Sequence, residues 1–154
     1  MKDDLDAIDR RILYALQADA RLTMAELAER VSLSHTPCWR RVKRLEEAGY
    51  ISGYHAVLNR RKLGYTILGF VSVQLESHTP EVAEAFERQV CALDQVLSCH
   101  NLTGRYDYQL EATAEDMDSF ARFVREKVRS LPAVREIYTS FSLKEILPSR
   151  TLNV

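Results

Sequence analysis

The first fifty residues alternate between segments of helical periodicity and short polar turns. Between Leu5 and Leu16 apolar side chains recur at intervals of three and four residues, which predicts a helix with one buried face. Thr23 opens a second predicted helix, because Thr23 and Glu26 have the spacing of a capping box. A tight connector leads from this helix into the next apolar pattern. Two helices joined by so short a turn predict a helix-turn-helix.

The third predicted helix runs from Ser34 to Gly49. Ser34 is a favourable N-cap, Pro37 falls in the first turn, and Gly49 is a favourable C-terminal stop. One face of this helix is small and apolar, and the opposite face is mostly basic and hydroxylic. Such a helix suits the major groove of DNA, although an ordinary solvated amphipathic helix has the same pattern. The apolar face consists of Cys38, Val42 and Leu45.

After this helix the periodicity changes. Tyr50–Leu58 is rich in Tyr, Ile and Val and predicts a strand, either a wing or a strand that leads out of the domain. Residues 59–64 are polar and basic and end in Gly, which predicts a linker. We therefore expect a DNA-binding domain over residues 1–58, a linker over 59–64 and a second domain over 65–154.

The second half predicts strands and helices in the order β-α-β-β-α-β. Thr79 and Pro80 mark the start of its first helix, with an N-cap followed by Pro at N1. The predicted fold class is α+β, an N-terminal winged helix-turn-helix followed by a ferredoxin-like βαββαβ domain. Helices cover one sheet face in this arrangement, so we expect a dimer through the other. The predicted strands are Thr66–Leu75, Val96–Leu102, Tyr108–Thr113 and Val134–Leu143, and the second helix is Glu115–Ser130.

Charge is distributed unevenly along the chain. The 154 residues carry a net charge of −1, but residues 1–63 sum to +3 and the remainder to −4. Residues 34–62 hold seven basic and two acidic side chains. A basic patch on a nearly neutral protein is typical of a selective surface for phosphates.

Several classes of protein are disfavoured. No apolar run is long enough to span a membrane, and the charged N-terminus does not resemble a secretory signal. The three cysteines, Cys38, Cys91 and Cys99, are an odd and widely spaced set, which favours a reducing, cytoplasmic location over a disulfide framework. They also lack the close spacing of a metal site, so we expect no metal and no cofactor.

The basic helix supplies the candidate DNA contacts. Arg40 and Lys43 point away from its apolar face, and an arginine can grip guanine with two hydrogen bonds. Arg41 lies nearer the buried side, where we expect it to pair with an acid of the first helix. Arg60–Lys62 is either a set of phosphate contacts or a solvated charge run. The full set of predicted DNA-binding residues is Ser34, His35, Thr36, Trp39, Arg40, Lys43 and Arg44.

Three stretches carry a resemblance to a known family. LDAIDRRIL near the start, LSHTPCWRRVKRLEEAGYI in the middle and TGRYDYQLEA later are similar to signatures of the Lrp/AsnC (feast/famine) transcriptional regulators. The resemblance covers almost the whole chain, and its middle stretch is the most specific. It implies a cytoplasmic regulator of double-stranded DNA that forms dimers, and often tetramers or octamers, and that binds a small amino acid between subunits.

The resemblance places the effector against the loop Thr103–Tyr108. Gly104 lets backbone N–H groups approach a carboxylate, to which Arg105 adds a cation. Asp107 can meet the ammonium or hold the loop in shape. By itself this stretch also fits an ordinary hairpin turn. Arg105 stands where many relatives have an acidic or polar residue, so the effector stays unidentified. Arg60 stands where they often have Pro, which implies a more mobile linker. The predicted effector-binding residues are Leu102, Thr103, Gly104, Arg105, Tyr106, Asp107, Tyr108 and Ser140.

Two other functions remain open from the sequence. An architectural DNA-binding protein that ignores ligands would use the same DNA contacts. A small ferredoxin-like enzyme could use His100, Tyr106 and Asp107 as acid and base groups. The enzyme hypothesis leaves residues 1–63 without a role, so we expect that the protein is not an enzyme.

Overall fold

A computed structural model describes residues 5–146 and 152 of the chain. These residues form two compact units, one reaching to Val57 and including Leu152, the other spanning Leu58–Ile146. The rest of the predicted C-terminal end, residues 147–151 and 153–154, lies outside the described residues. The linker and the boundaries at residues 58 and 65 stay predictions.

The first unit contains three helices, α1 (Ala7–Ala18), α2 (Met24–Arg30) and α3 (His35–Glu47). The Thr23 hydroxyl accepts from the Glu26 N–H and the Glu26 carboxylate accepts from the Thr23 N–H, which confirms the predicted capping box. Apolar side chains from all three helices fill one core, as their periodicity predicted. Its fully buried members include Ile12, Leu27, Val31, Cys38 and Leu45.

The strand predicted over Tyr50–Leu58 is wrong. Within the described residues this segment is irregular and joins no β-ladder. Ile51 packs against the first core, whereas Val57 is 99% exposed. Tyr, Ile and Val favour strands mainly by packing on a pleated, half-buried surface, and here the described chain provides no neighbouring strand to form one.

The second unit has the predicted βαββαβ order. Its sheet is antiparallel throughout, with strand order β2-β3-β1-β4. This is the ferredoxin-like arrangement that the alternating pattern predicted. The elements are β1 (Ile67–Leu75), α4 (Pro80–Val90), β2 (Val96–Asn101), β3 (Tyr108–Ala114), α5 (Met117–Glu126) and β4 (Val134–Phe141).

The helix predicted over Glu115–Ser130 ends early. α5 stops at Glu126, and a short 3-10 turn over Val128–Ser130 follows. The residue before Pro132 is extended, with φ −67° and ψ 152°, because a proline disfavours helical backbone at the preceding position. The 3-10 turn places Val128 fully inside the core.

Both helices of the second unit contribute to a core on one face of the sheet. Phe86 of α4 and Phe120 of α5 are fully buried there, together with Val71 of β1 and Leu110 of β3. Alternate residues of β1 face away from this core and are only partly buried. The uncovered face therefore carries a mixture of aromatic and polar side chains, among them Phe70, Ser72, Gln74, Glu111, Glu136 and Tyr138.

Candidate functional site

The outward side of α3 begins at its N-cap. Ser34 has the extended backbone of a cap, with φ −79° and ψ 162°, but its hydroxyl makes no capping hydrogen bond. His35 and Thr36 follow it and are exposed. The start of α3 therefore presents hydroxyl and imidazole groups that are not occupied by capping, at the end of a helix where such groups reach bases or phosphates in DNA complexes.

Arg40 and Lys43 lie on the exposed side, as the helical wheel predicted. Within residues 5–146 and 152 the Arg40 guanidinium makes no ion pair or hydrogen bond. Lys43 Nζ lies 3.2 Å from Glu46 Oε2, in a surface pair of the kind that contributes little stability. Trp39 is 47% exposed, so part of its indole is available to a partner.

Arg41 and Arg44 contact Asp9 of α1 and Asp6, the N-cap of that helix. Arg41 Nη1 lies 2.6 Å from Asp6 Oδ2 and 2.8 Å from Asp9 Oδ1, which confirms the predicted pairing of Arg41 with the first helix. Arg44 Nη2 donates to the other oxygen of Asp9. The Asp9 side chain is only 1% exposed. Two guanidinium groups therefore compensate a buried carboxylate, as burial of a charge requires.

Asp6 also caps α1, since its Oδ1 accepts from the N–H groups of Ile8 and Asp9 at 2.8 Å. These backbone hydrogen bonds, helped by Arg41, lower the pKa of Asp6 from 3.8 to about 2. The same acids, Asp9 foremost, raise the pKa of Arg41. Asp6 is therefore charged at neutral pH, where it pairs with Arg41.

The basic residues at the start of the second unit have separate roles. The Arg60 guanidinium donates to the carbonyl oxygens of Tyr65 and Thr66 at 3.1 and 3.4 Å, so it holds its own turn in place. Arg61 and Lys62 are exposed. Among the described residues, the side chains of these two have no hydrogen-bond partner, so they can extend to phosphates, whereas the Arg60 guanidinium is already bonded.

The loop from Leu102 to Asp107 joins β2 to β3. It is closed by the Leu102 N–H, which donates to the Asp107 carbonyl at 2.7 Å. Gly104 has φ +123°, a backbone conformation that favours glycine. Across the described part of the chain, the backbone N–H groups of residues 103–106 donate to no acceptor. Such a run of open donors can receive a carboxylate.

Arg105 and Tyr106 both contact Glu136 of β4. Arg105 Nη2 lies 2.9 Å from Glu136 Oε1, and the Tyr106 hydroxyl donates to the same oxygen at 3.1 Å. The Tyr106 ring lies between two other groups, the Arg105 guanidinium at 5.2 Å and the Tyr138 ring at 6.2 Å. The loop therefore combines a cation, a carboxylate and two aromatic rings on the uncovered side of the sheet.

Asp107 is committed to the fold of this loop. Its Oδ2 accepts from the Leu75 N–H at 2.7 Å and its Oδ1 lies 2.9 Å from His78 Nε2. The Asp107 N–H in turn donates to the Val73 carbonyl. Of the two roles considered for Asp107, this geometry favours holding the loop against the end of β1.

The structure does not gather every predicted effector residue in one place. Tyr108 is 3% exposed and faces the helix-side core, where its hydroxyl donates to Glu87 at 2.7 Å, so it cannot reach a ligand on the loop surface. Ser140 lies four residues along β4 from Glu136, about 13 Å away at ~3.3 Å per residue. Leu102 and Thr103 are exposed beside Gly104 and stay in the candidate site.

Sequence reasoning missed three partners of these sites: Asp9, His78 and Glu136. Asp9 stands at a polar position of the first predicted helix, three residues from Asp6, and that spacing was the available signal. Glu136 and His78 approach the loop through the strand pairing of β1 with its neighbours. No local pattern announces such contacts, because they depend on register between distant segments.

Within residues 5–146 and 152, no group of three His, Cys, Asp or Glu side chains could hold a metal ion. The helices of these residues are all too short or too polar to cross a membrane.

Comparisons with known proteins agree with this architecture. A model described as the Lrp/AsnC ligand binding domain matches residues 68–152, and one described as winged helix-turn-helix DNA-binding matches residues 5–52. The Leucine-responsive regulatory proteins of Escherichia coli K12 and Salmonella typhimurium are each 40% identical over 149 residues, which are 97% of this chain and 91% of theirs.

Solved structures are similar over the same extent. A transcriptional regulator from Neisseria meningitidis in complex with L-Met has a TM-score of 0.91 and 40% identity, covering 97% of this chain and 96% of its own. An AsnC family transcriptional regulator from Agrobacterium tumefaciens has a TM-score of 0.89 and 32% identity, covering 96% and 95%.

Proposed function

Because this chain belongs to the Lrp/AsnC family of DNA-binding transcriptional regulators, which are not enzymes, we propose how its two units divide the work. The first unit reads double-stranded DNA with the exposed side of α3. The second holds a small amino acid at the loop before β3. The observation that carries this division is a pair of surfaces: a basic helix face and a loop, where Arg40 and the N–H groups of residues 103–106 have no partner among the described residues.

On DNA, the N-terminal turn of α3 and its first exposed arginine contact base edges. Lys43, Arg61 and Lys62 contact phosphates, which position the helix without reading sequence. Trp39 packs its exposed indole edge on the sugar–phosphate backbone. The proposed contacts are Ser34, His35, Thr36, Trp39, Arg40, Lys43 and Arg44.

At the loop, the N–H groups of residues 103–106 receive the carboxylate of the effector. Arg105 adds a cation, and Glu136, which Arg105 contacts, accepts from the ammonium. Asp107 keeps the loop in this shape. One relative is named for its response to leucine, and another was solved with L-Met. We therefore infer that the effector is an amino acid with an uncharged, apolar side chain of that size.

Assembly connects the two functions. The uncovered sheet face is the proposed dimer interface, so that one dimer presents two α3 helices to DNA. The effector lies where a second subunit can reach the same loop, and dimers assemble further to tetramers or octamers. The relatives are bacterial proteins that act on DNA, and we place this chain in the cytoplasm.

A ligand screen tests the function. L-leucine, L-methionine and the other standard amino acids are each added to the pure protein, and the unfolding temperature is measured. A ligand that binds only the native state raises it. The active compound is then titrated into DNA-binding reactions. An architectural protein would show DNA binding and no response to any amino acid.

Asp107→Ala tests the site. Without the hydrogen bond to the Leu75 N–H the loop loses its support, so the amino-acid response should disappear while DNA binding without ligand stays near that of the wild type. The measurement is a gel-shift titration with the active amino acid. His78→Ala is the control, since it removes only the exposed partner of Asp107. If Asp107→Ala kept full ligand sensitivity, the effector would have to bind elsewhere.

A further inference from the structure

The junction between α1 and α3 contains two acids facing two arginines. Asp9 lies in α1 and Asp6 is the N-cap of that helix, three residues earlier. Arg41 and Arg44 are three residues apart on α3, so they lie on one face of that helix and can meet the two acids side by side. Charges balance within the cluster, yet its four members differ widely in their exposure to solvent.

Exposure rises from Asp9 outward. The Asp9 side chain is 1% exposed, that of Arg41 is 29% and that of Arg44 is 51%. Arg41 is held by both acids and is partly buried. Arg44 is held by a single nitrogen, Nη2, and its remaining N–H groups have no acceptor among the residues described. A guanidinium has five N–H donors in a rigid plane, so the bond from Nη2 to Asp9 restricts the directions in which the other donors can point.

Arg44 also shares its surroundings with the proposed DNA contacts. Thr36, Arg40 and Arg44 line one open cleft beside α3. Among the described residues Arg40 has no hydrogen-bond or ion-pair partner, whereas Arg44 is bonded to the buried carboxylate of Asp9. The two arginines would therefore meet DNA differently, Arg40 as a mobile cation and Arg44 as an oriented one.

We propose that Asp9 is a positioning residue for DNA recognition: it orients the Arg44 guanidinium toward the groove and neutralises part of its charge. This inference rests on the proposed role of α3 in DNA binding. With Asp9 present, Arg44 forms hydrogen bonds with a base or phosphate that matches the orientation of its guanidinium plane. Because Asp9 neutralises part of its charge, Arg44 attracts other phosphates only weakly. Asp9 thereby favours specific over non-specific binding.

The test compares specific with non-specific DNA. The specific probe is a duplex selected from a random library by the wild-type protein, and the non-specific probe is a scrambled duplex of equal composition. For Asp9→Asn we expect the ratio of the two affinities to fall by about tenfold, within the contribution of one well-oriented base contact. Affinity for the scrambled duplex should stay equal or rise. The slope of log affinity against log salt concentration should steepen by up to about one unit for that duplex, because the Arg44 charge is no longer compensated by Asp9.

Asp19→Asn is the matched control, since it makes the same charge change on an exposed residue at the end of α1. It should leave the ratio unchanged. A role of Asp9 in stability alone would lower binding to both duplexes together and leave the salt dependence as it was.

Arg44→Lys is a second test of the proposal. In this variant the buried Asp9 carboxylate keeps its ion pair with Arg41. Lysine keeps the charge and loses the planar fork, so the ratio should fall as in Asp9→Asn, and the double variant should be no worse than either single one. A folded Asp9→Asn protein with the wild-type ratio would overturn the proposal. If Asp9→Asn does not fold, a wild-type ratio in Arg44→Lys overturns it instead. Failure of the proposed DNA surface is a separate result, recognised when Arg40→Ala also binds both duplexes normally.

Discussion

Arg40 and Lys43 are neighbours on α3 whose side chains are held differently. Arg40 is unpaired within the described residues, whereas Lys43 lies beside Glu46. Arg40→Ala should weaken specific DNA binding by about 1–3 kcal/mol and relax one or two base positions, because a bidentate base contact is lost. Lys43→Ala should weaken binding to all sequences and reduce the salt slope by about one.

Binding isotherms over a salt series measure both effects. Arg122→Ala, on an exposed position of α5, is the control and should bind like the wild type. The assignment of α3 fails if the Arg40 and Lys43 variants give wild-type isotherms at every salt concentration.

Asp6 gives the first unit a dependence on acid. Its pKa is lowered in the folded protein, so the carboxylate stabilises the fold above pH 3.8, and this contribution is lost as pH falls toward about 2. Asn can cap the helix but does not titrate. The difference in unfolding temperature between wild type and Asp6→Asn should therefore shrink from pH 5 toward about pH 2. A constant difference over that range would mean that Asp6 is not charge-stabilised.

For the charged residues of α3, the sequence predicted which side chains are exposed but not all of their partners. Periodicity placed Arg40 outside and Arg41 near the buried side, and the position of Arg41 was enough to expect an acid of the first helix as its partner. The anchoring of Arg44 by Asp9 was not predicted. It depends on how two helices cross and on the rotamers of long side chains, which periodicity does not encode.

At the scale of elements, β1 and α5 meet at a glycine. A Cβ built on Gly69 would overlap the Phe120 ring, with ring Cε2 at 2.8 Å. Phe120 is fully buried, so it has little room to move. Gly69→Ala should therefore cost about 1–3 kcal/mol by overpacking and lower the unfolding temperature of the second unit by several degrees.

Phe120→Leu, which shortens the clashing side chain, is the partner variant for this test. In that background Gly69→Ala should cost clearly less, because the two residues contact each other. Calorimetry of the four proteins gives the comparison. An unfolding temperature equal to or above that of the wild type in Gly69→Ala would show that the ring relaxes freely.

Elements differed in how well the sequence specified them. The strands of the second unit were predicted from their apolar residues, and they form because the same chain supplies neighbouring strands and a core. Tyr50–Leu58 has the same residue types and forms no strand, since composition describes a side chain's preference and not the presence of a neighbouring strand. The loop before β3 was located by its Gly and Asp, but its contacts with Glu136 and His78 follow from sheet register.

At the scale of the molecule, the uncovered sheet face is where the proposed assembly is tested. Phe70 of β1 lies on that face, paired across the sheet with Glu111 of β3 and Ser140 of β4. It is partly exposed in the single chain, so a substitution there need not disturb the core on the other side. If two sheets pack through this face, Phe70 becomes part of a dry interface, in which an unpaired charge is costly.

We expect the wild-type protein to be at least a dimer at micromolar concentration, and Phe70→Arg to shift it toward monomer. The reason is that two copies would each bury a guanidinium in the same interface. Light scattering after gel filtration gives the mass. Gln89→Arg, an exposed position on α4, adds the same charge outside the interface and should remain a dimer.

Ligand and DNA must shift each other's affinity by one common factor, typically about 5–150-fold. Loss of the dimer should therefore reduce the effect of ligand on DNA binding and the effect of DNA on ligand binding together. A wild-type monomer, or a Phe70→Arg protein that remains fully dimeric, would place the interface on another surface.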